Sequence, residues 1–154
     1  MTDYHLPPSL ETLERAISGW LEGFAAENPA FEAIDRGEPG EPEPRWYVRL
    51  RGDEKDHITI WITLGQRTLR YEAYVLPAPQ ENVSEVYEMA LRRNDRIVGA
   101  HFAIGVEDAL FLRGEIPLAW LTEAELDRII GSLYTYTEQA FPGLIRLAFA
   151  SKFP

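Results

Sequence analysis

The chain has 154 residues, with 25 acidic against 15 basic side chains and a formal net charge of -10 at pH 7. This length predicts a single domain over residues 1–154, and the acidic excess argues against a nucleic-acid partner bound through its phosphate backbone. Since the sequence contains no cysteine, a disulfide scaffold, a thiolate nucleophile and a Cys-ligated zinc site are excluded.

The N-terminal residues Met1 to His5 carry neither a cationic nor an apolar segment, which argues against a secretory signal. No apolar run approaches the roughly 20 residues that a membrane-spanning helix needs. We therefore expect a soluble, cytoplasmic protein with no membrane partner.

Apolar residues spaced three and four apart predict a first helix that starts at Pro8-Ser9, where the serine can cap the first turn. The helix should end near Asn28-Pro29, because a residue before proline is pushed out of the helical region. Residues 35–44 follow with two glycines, three prolines, four acids and no periodicity. We expect them to form an exposed acidic connector within the domain.

Three segments then alternate apolar and polar residues and predict antiparallel strands that bury one face: residues 45–51, 57–64 and 68–76. A two-residue turn at Gly65-Gln66 would pair Ile62 with Leu69. The loop between the first two strands would pair Val48 with Ile60. In these registers the apolar side chains of all three strands share one side of the sheet.

A second helix is predicted from Asn82 to Asn94, since Asn82 and Glu85 have the spacing of a capping box. Two further alternating segments, residues 98–104 and 109–113, predict a second hairpin that is joined by a short turn and pairs Phe102 with Leu112.

A third helix should begin at Thr122, which forms a clear capping box with Glu125 and precedes a long apolar stripe. Past Pro142 the chain stays apolar, and we expect a final turn or a packed tail there. The predicted order is therefore α-β-β-β-α-β-β-α, an α+β fold with a five-stranded sheet and three helices.

The sequence offers no pattern of catalytic or metal-binding residues. The histidines His5, His57 and His101 lie in separate predicted elements, without the spacing of helical metal ligands. No nucleophile elbow and no phosphate-binding loop occur. We predict no metal site, no cofactor and no catalytic residue, and we expect that the protein is not an enzyme.

The polar side of the predicted sheet carries an unusual set of aromatic and basic residues. The predicted registers place Tyr47 opposite Trp61 and Trp61 opposite Arg70, so that the three form one row. The candidate partner-binding residues on this side are Tyr47, Trp61, Arg70, Tyr74, His101 and Phe111. Trp, Tyr and Arg are enriched at interface hot spots, but such a row can also simply reinforce a sheet. The sequence leaves both interpretations open.

Four stretches of the sequence carry a resemblance to a known family: Leu91-Arg92-Arg93-Asn94, Gly99-Ala100-His101-Phe102-Ala103-Ile104, Ile116-Pro117-Leu118 and Ala140-Phe141-Pro142. With the element order, they make the chain similar to the YbjN family of bacterial sensory transduction regulators, which shares the type III secretion chaperone-like fold. The turn at residues 105–108 is less rich in aspartate and glycine than the family pattern. The resemblance implies a twisted antiparallel sheet with the helices mainly on one face, often a homodimer, and a role in regulation or in binding protein segments.

We therefore expect a non-enzymatic, homodimeric protein-binding or regulatory module whose partner is a protein or peptide segment. The alternative is a small-ligand sensor or minor enzyme with a pocket between the sheet and the helices, where Arg92, Arg93 or His101 would bind an anion. A third possibility is a purely structural or self-assembling protein.

Overall fold

The computed structural model describes residues 9–38 and 40–153, so the predicted start at Pro8 and the residue His5 lie outside the described residues. The described chain forms an α+β fold of three helices and a six-stranded antiparallel sheet. The helices are α1 (Leu10–Glu27), α2 (Val83–Asn94) and α3 (Glu123–Ala148). The strands are β1 (Phe31–Arg36), β2 (Arg45–Arg51), β3 (His57–Leu64), β4 (Thr68–Leu76), β5 (His101–Ile104) and β6 (Leu110–Pro117). Their order across the sheet is β1-β2-β3-β4-β6-β5.

The sheet has six strands where the sequence predicts five, because β1 forms an additional edge strand beside β2. A shift in the pairing between Phe31 and Ala33 interrupts the two-residue alternation that marks a strand in sequence. Asp35 and Arg36, which the sequence assigns to the acidic connector, belong to this strand. The connector therefore begins at Gly37.

The turn between β3 and β4 lies one residue later than predicted. Gly65 donates its N–H to the carbonyl of Thr68, and the strands pair Leu64 with Leu69 and Ile62 with Tyr71. The predicted pairing of Ile62 with Leu69 is wrong by two residues. Since side chains alternate with a period of two, every residue nevertheless keeps its predicted face.

The other two predicted registers are confirmed. Val48 pairs with Ile60 between β2 and β3, and Phe102 pairs with Leu112 between β5 and β6. The second hairpin has different bounds from those predicted, since β5 begins only at His101 and β6 continues to Pro117.

The N-terminal ends of α1 and α3 are capped by the predicted residues, although the carboxylate of Glu125 in α3 bonds Arg128 and does not complete the predicted capping box. Ser9 accepts a hydrogen bond from the N–H of Thr12, and Thr122 accepts one from the N–H of Glu125. The predicted tail after Pro142 is instead the last part of α3, which runs on to Ala148. The buried side chains of this last part compensate for the hydrogen bond that proline cannot donate.

Helix α2 occupies its predicted span, but the capping box does not form. Asn82 has a left-handed backbone (φ 52°), and its side-chain amide donates to the carbonyl of Leu147 at 2.9 Å. At the other end of the helix, the side chain of Asn94 accepts from the N–H of Phe102 at 2.6 Å and donates to its carbonyl at 3.4 Å. The side chain of Asn94 thus covers part of the edge of β5.

All three helices contribute to one core on a single face of the sheet. Trp46 is fully buried there, and its indole Nε1–H donates to the hydroxyl of Ser18 in α1 at 3.0 Å. The buried helical side chains include Ile17 from α1, Val86 from α2 and Leu133 from α3. None of the helices within residues 9–38 and 40–153 is long and apolar enough to cross a membrane. The opposite side of the sheet is called the open face below.

Candidate functional site

The open face carries a groove with a volume of about 990 Å³. Trp61, Tyr74 and Phe111 form its floor, while the charged residues Arg70, Glu72 and Arg113 also line it. Phe111 is buried at 3 % exposure, whereas Trp61 and Tyr74 are half-buried. The groove therefore combines an apolar floor with polar walls, which is the usual composition of a binding site.

The strand pairings bring six open-face residues into one row across the whole sheet. In order from edge to edge they are Asp35, Tyr47, Trp61, Glu72, Arg113 and His101. Tyr47 lies opposite Trp61 as the sequence predicts. The row as a whole could not be read from the sequence, because it needs β1 and the correct β3–β4 register.

Four aromatic rings of the open face form a continuous series of contacts across the sheet. Tyr47 and Trp61 meet edge to face, with ring centroids 6.3 Å apart and planes at 79°. Phe111 lies 6.1 Å from Trp61 and 5.5 Å from Tyr74. Four of the six predicted partner-binding residues thus form one continuous aromatic cluster, which we call the aromatic floor. Tyr47 lies beside the groove, and the other three rings line it.

Two rings of the aromatic floor make cation–π contacts with basic side chains of the same chain. The guanidinium of Arg113 lies 4.9 Å from the centroid of Phe111, and Arg113 also donates to the carboxylate of Glu72 at 2.9 Å. The ammonium of Lys55 lies 5.5 Å from the centroid of Tyr74. Burial lowers the pKa of Lys55 below its ordinary value.

Arg70 does not lie opposite Trp61, so that prediction is wrong. It pairs with Thr63 and Glu115, in the row next to the one that contains Trp61. Its guanidinium donates two hydrogen bonds, of 2.7 and 3.2 Å, to the carboxylate of Glu43 in the connector. Sequence reasoning missed Glu43, since nothing in the local pattern indicates which strand a connector residue will reach.

The Glu43–Arg70 pair gives a prediction about pH. The hydrogen bonds from Arg70 hold the pKa of Glu43 below its ordinary value of 4.5. A lowered pKa in the folded state means that the pair contributes stability above the ordinary value and loses it as the pH falls through the lowered one. We expect the carboxyl carbon resonance of Glu43 to titrate with a midpoint below 4.5 in NMR, and to return to the ordinary range in Arg70→Gln. An ordinary midpoint in the wild type would show that Arg70 does not hold Glu43 in solution.

The residues of the predicted anion pocket are not brought together. His101 is exposed beside Arg113 on the open face, whereas Arg92 and Arg93 line a separate groove between α2 and α3. Arg92 there donates to Glu88, one turn away, at 3.0 Å. No group of three or more metal-ligating side chains occurs in the part of the chain that the structure describes.

The chain matches a family model and is similar in sequence to several mycobacterial proteins. The model of the YbjN family, described as "Putative bacterial sensory transduction regulator", matches residues 16–146. Uncharacterized proteins of Mycobacterium bovis and Mycobacterium tuberculosis are each 30 % identical over 143 residues, which cover 93 % of this chain and 75 % of theirs. An uncharacterized protein of Mycobacterium leprae is 29 % identical over 107 residues, which cover 70 % of this chain and 58 % of that protein.

Among solved structures, a match is the Yersinia pestis type III secretion chaperone SycH, crystallised in complex with a stable fragment of YscM2. Its TM-score is 0.49 and its sequence identity 18 %, and the match covers 80 % of this chain and 98 % of SycH.

Proposed function

Because this chain belongs to the YbjN family, we propose that it is a non-enzymatic regulatory module that binds a segment of a partner protein on its open face. The partner-binding residues are the aromatic floor (Tyr47, Trp61, Tyr74 and Phe111) together with Arg70 and His101. A homodimeric state, which the resemblance to the family implies, and a cytoplasmic location belong to the same proposal.

The observation that carries the proposal is the position of Trp61. Its indole is half-buried at the centre of the aromatic floor, and the helices pack on the other face of the sheet. Tryptophan and tyrosine in a largely desolvated patch are the residue types that supply most of the energy of protein interfaces. Reinforcement of the sheet requires only that neighbouring rings touch, and it does not require a groove.

The open face is also favoured over the edge of β5 as the place of contact. A strand that adds to a sheet edge needs unpaired backbone N–H and C=O groups. On β5 the N–H and the carbonyl of Phe102 are already bonded to the side chain of Asn94. The groove is therefore accessible to a partner, whereas part of the backbone edge of β5 is already hydrogen-bonded.

Co-purification with two tryptophan variants tests the proposal. Trp61→Ala removes the centre of the floor, and Trp120→Ala is the matched control, since Trp120 is 69 % exposed and does not line the groove. We expect proteins retained by the wild type and by Trp120→Ala to be depleted about tenfold or more with Trp61→Ala, in line with the cost of losing a hot-spot residue.

Thermal unfolding of each variant shows whether the loss reflects binding or folding, and Tyr47→Ala supplies a second change in the floor should Trp61→Ala fold poorly. Equal retention by all variants would contradict a role of the open face in binding.

A further inference from the structure

The chemistry of the open face points to the kind of segment that binds there. The two rings nearest β1 differ from the other two rings of the aromatic floor. Arg113 stacks on Phe111 and Lys55 on Tyr74, whereas within residues 9–38 and 40–153 no cation of the chain lies over Tyr47 or Trp61. The face therefore uses cation–π contacts at two of its rings and leaves two rings accessible to a cation from outside.

Carboxylates flank these two accessible rings on both sides. Asp35 lies directly across from Tyr47, and Glu72 lies directly across from Trp61. Side chains that face each other across antiparallel strands are about 5 Å apart at Cβ, well within reach of a long cationic side chain. Glu72 bonds Arg113 through one oxygen, and a carboxylate can accept several further hydrogen bonds.

Two arginines of the face, by contrast, already hold acids of the chain itself. Arg70 donates two hydrogen bonds to Glu43, and Arg113 is bonded to Glu72. An acidic partner would have to displace one of these carboxylates to bind either guanidinium. A third arginine of the groove, Arg45, donates to the hydroxyl of Thr63 at 3.2 Å. A basic partner finds Asp35 and Glu72 beside open rings, and the net charge of -10 would speed its approach.

We infer that the segment bound on the open face is basic, and that one of its arginine or lysine side chains stacks on Trp61 beside Tyr47 and pairs with Asp35 or Glu72. This inference rests on the proposed function and specifies the partner for it. Tryptophan is the aromatic side chain on which cation stacking is strongest, so Trp61 is the central contact.

NMR of the indole N–H groups tests this inference with defined peptides. The probes are a capped peptide of alternating glycine and arginine, its glutamate counterpart and a neutral glycine–serine peptide. We expect the arginine peptide to shift the Nε1–H resonance of Trp61 in a saturable way, and the other two peptides to leave it in place. A larger shift with the glutamate peptide, or no shift with any of the three, would overturn the inference.

Variants separate specific stacking from general attraction to an acidic protein. We expect Trp61→Ala, and the pair Asp35→Asn with Glu72→Gln, each to weaken the arginine peptide about tenfold. The matched controls are Trp120→Ala and the exposed pair Glu22→Gln with Asp127→Asn, which removes the same charge elsewhere and should change the affinity less than twofold. Because Glu72→Gln also breaks its bond to Arg113, Asp35→Asn alone is measured as well. Equal affinities in all these variants would show that the peptide binds by net charge, and the inference would be wrong.

Two further outcomes keep this inference distinct from the proposed function. If a photo-crosslinker placed at Thr59, which lies beside Trp61 on the same face of β3, captures a partner segment that lacks basic residues, the inference fails and the proposed function stands. If instead the resonance of Trp61 depends on protein concentration, and Trp61→Ala turns a dimer into a monomer in light scattering, a second copy covers the face and the inference also fails.

Discussion

Trp46→Ala is expected to lower the free energy of unfolding by about 3 to 5 kcal/mol, the range for large aromatic residues removed from a core. Trp46 is completely buried between the sheet and α1. Its removal opens a cavity and leaves the hydroxyl of Ser18 without its donor. It also removes the ring over which the guanidinium of Arg36 lies, 4.7 Å from the centroid. Urea denaturation measures the change.

The control for this prediction is Trp120→Ala, which deletes an equally large side chain from an exposed turn. Surface substitutions of this kind usually change stability by no more than about 0.5 kcal/mol. Trp46→Phe should lie between the two, because it keeps most of the volume but loses the N–H. A loss below about 1 kcal/mol for Trp46→Ala would contradict the packing of α1 on β2.

Gly105→Ala is expected to destabilise the fold by about 1 to 3 kcal/mol, the usual cost of overpacking, and to disturb the aromatic floor as well. A Cβ atom at this position would lie 2.6 Å from the guanidinium of Arg113 and would collide with the ring of Phe111. Phe111 is buried and contacts both Trp61 and Tyr74, so it cannot move without displacing them.

The matched control is Gly131→Ala in α3. A Cβ at Gly131 meets nothing within 4 Å, and alanine there should stabilise the helix by up to about 1 kcal/mol. Binding to the open face should be weakened in Gly105→Ala and unchanged in Gly131→Ala. If the two variants have the same stability and the same binding, Gly105 does not support the aromatic floor.

The sidedness of the sheet could be predicted from the sequence alone. The alternation in residues 45–51, 57–64 and 68–76 assigns each side chain to a face, and this assignment survives the error of two residues in one register. The pairing of Tyr47 with Trp61 depends on a loop whose length is plain in the sequence, so it too was predictable. The caps at Ser9 and Thr122 are equally local.

The partners of the charged side chains could not be predicted in this way. Because the turn between β3 and β4 lies one residue later than predicted, Glu72 and not Arg70 lies opposite Trp61. Asp35 joins the row only because an irregular edge strand pairs with β2, and Glu43 reaches Arg70 only because the connector folds back onto the sheet.

The sequence by itself thus determined which residues lie on the open face of this protein, whereas only the tertiary structure decided which of them are neighbours. The physical reason is that side chains alternate between the two faces of a strand with a period of two residues, and this alternation is visible along the whole strand in the sequence. The neighbours of a residue across the sheet depend on the conformation of one turn or bulge. A shift of that turn or bulge by a single residue changes the cross-strand partner of every residue in the strand.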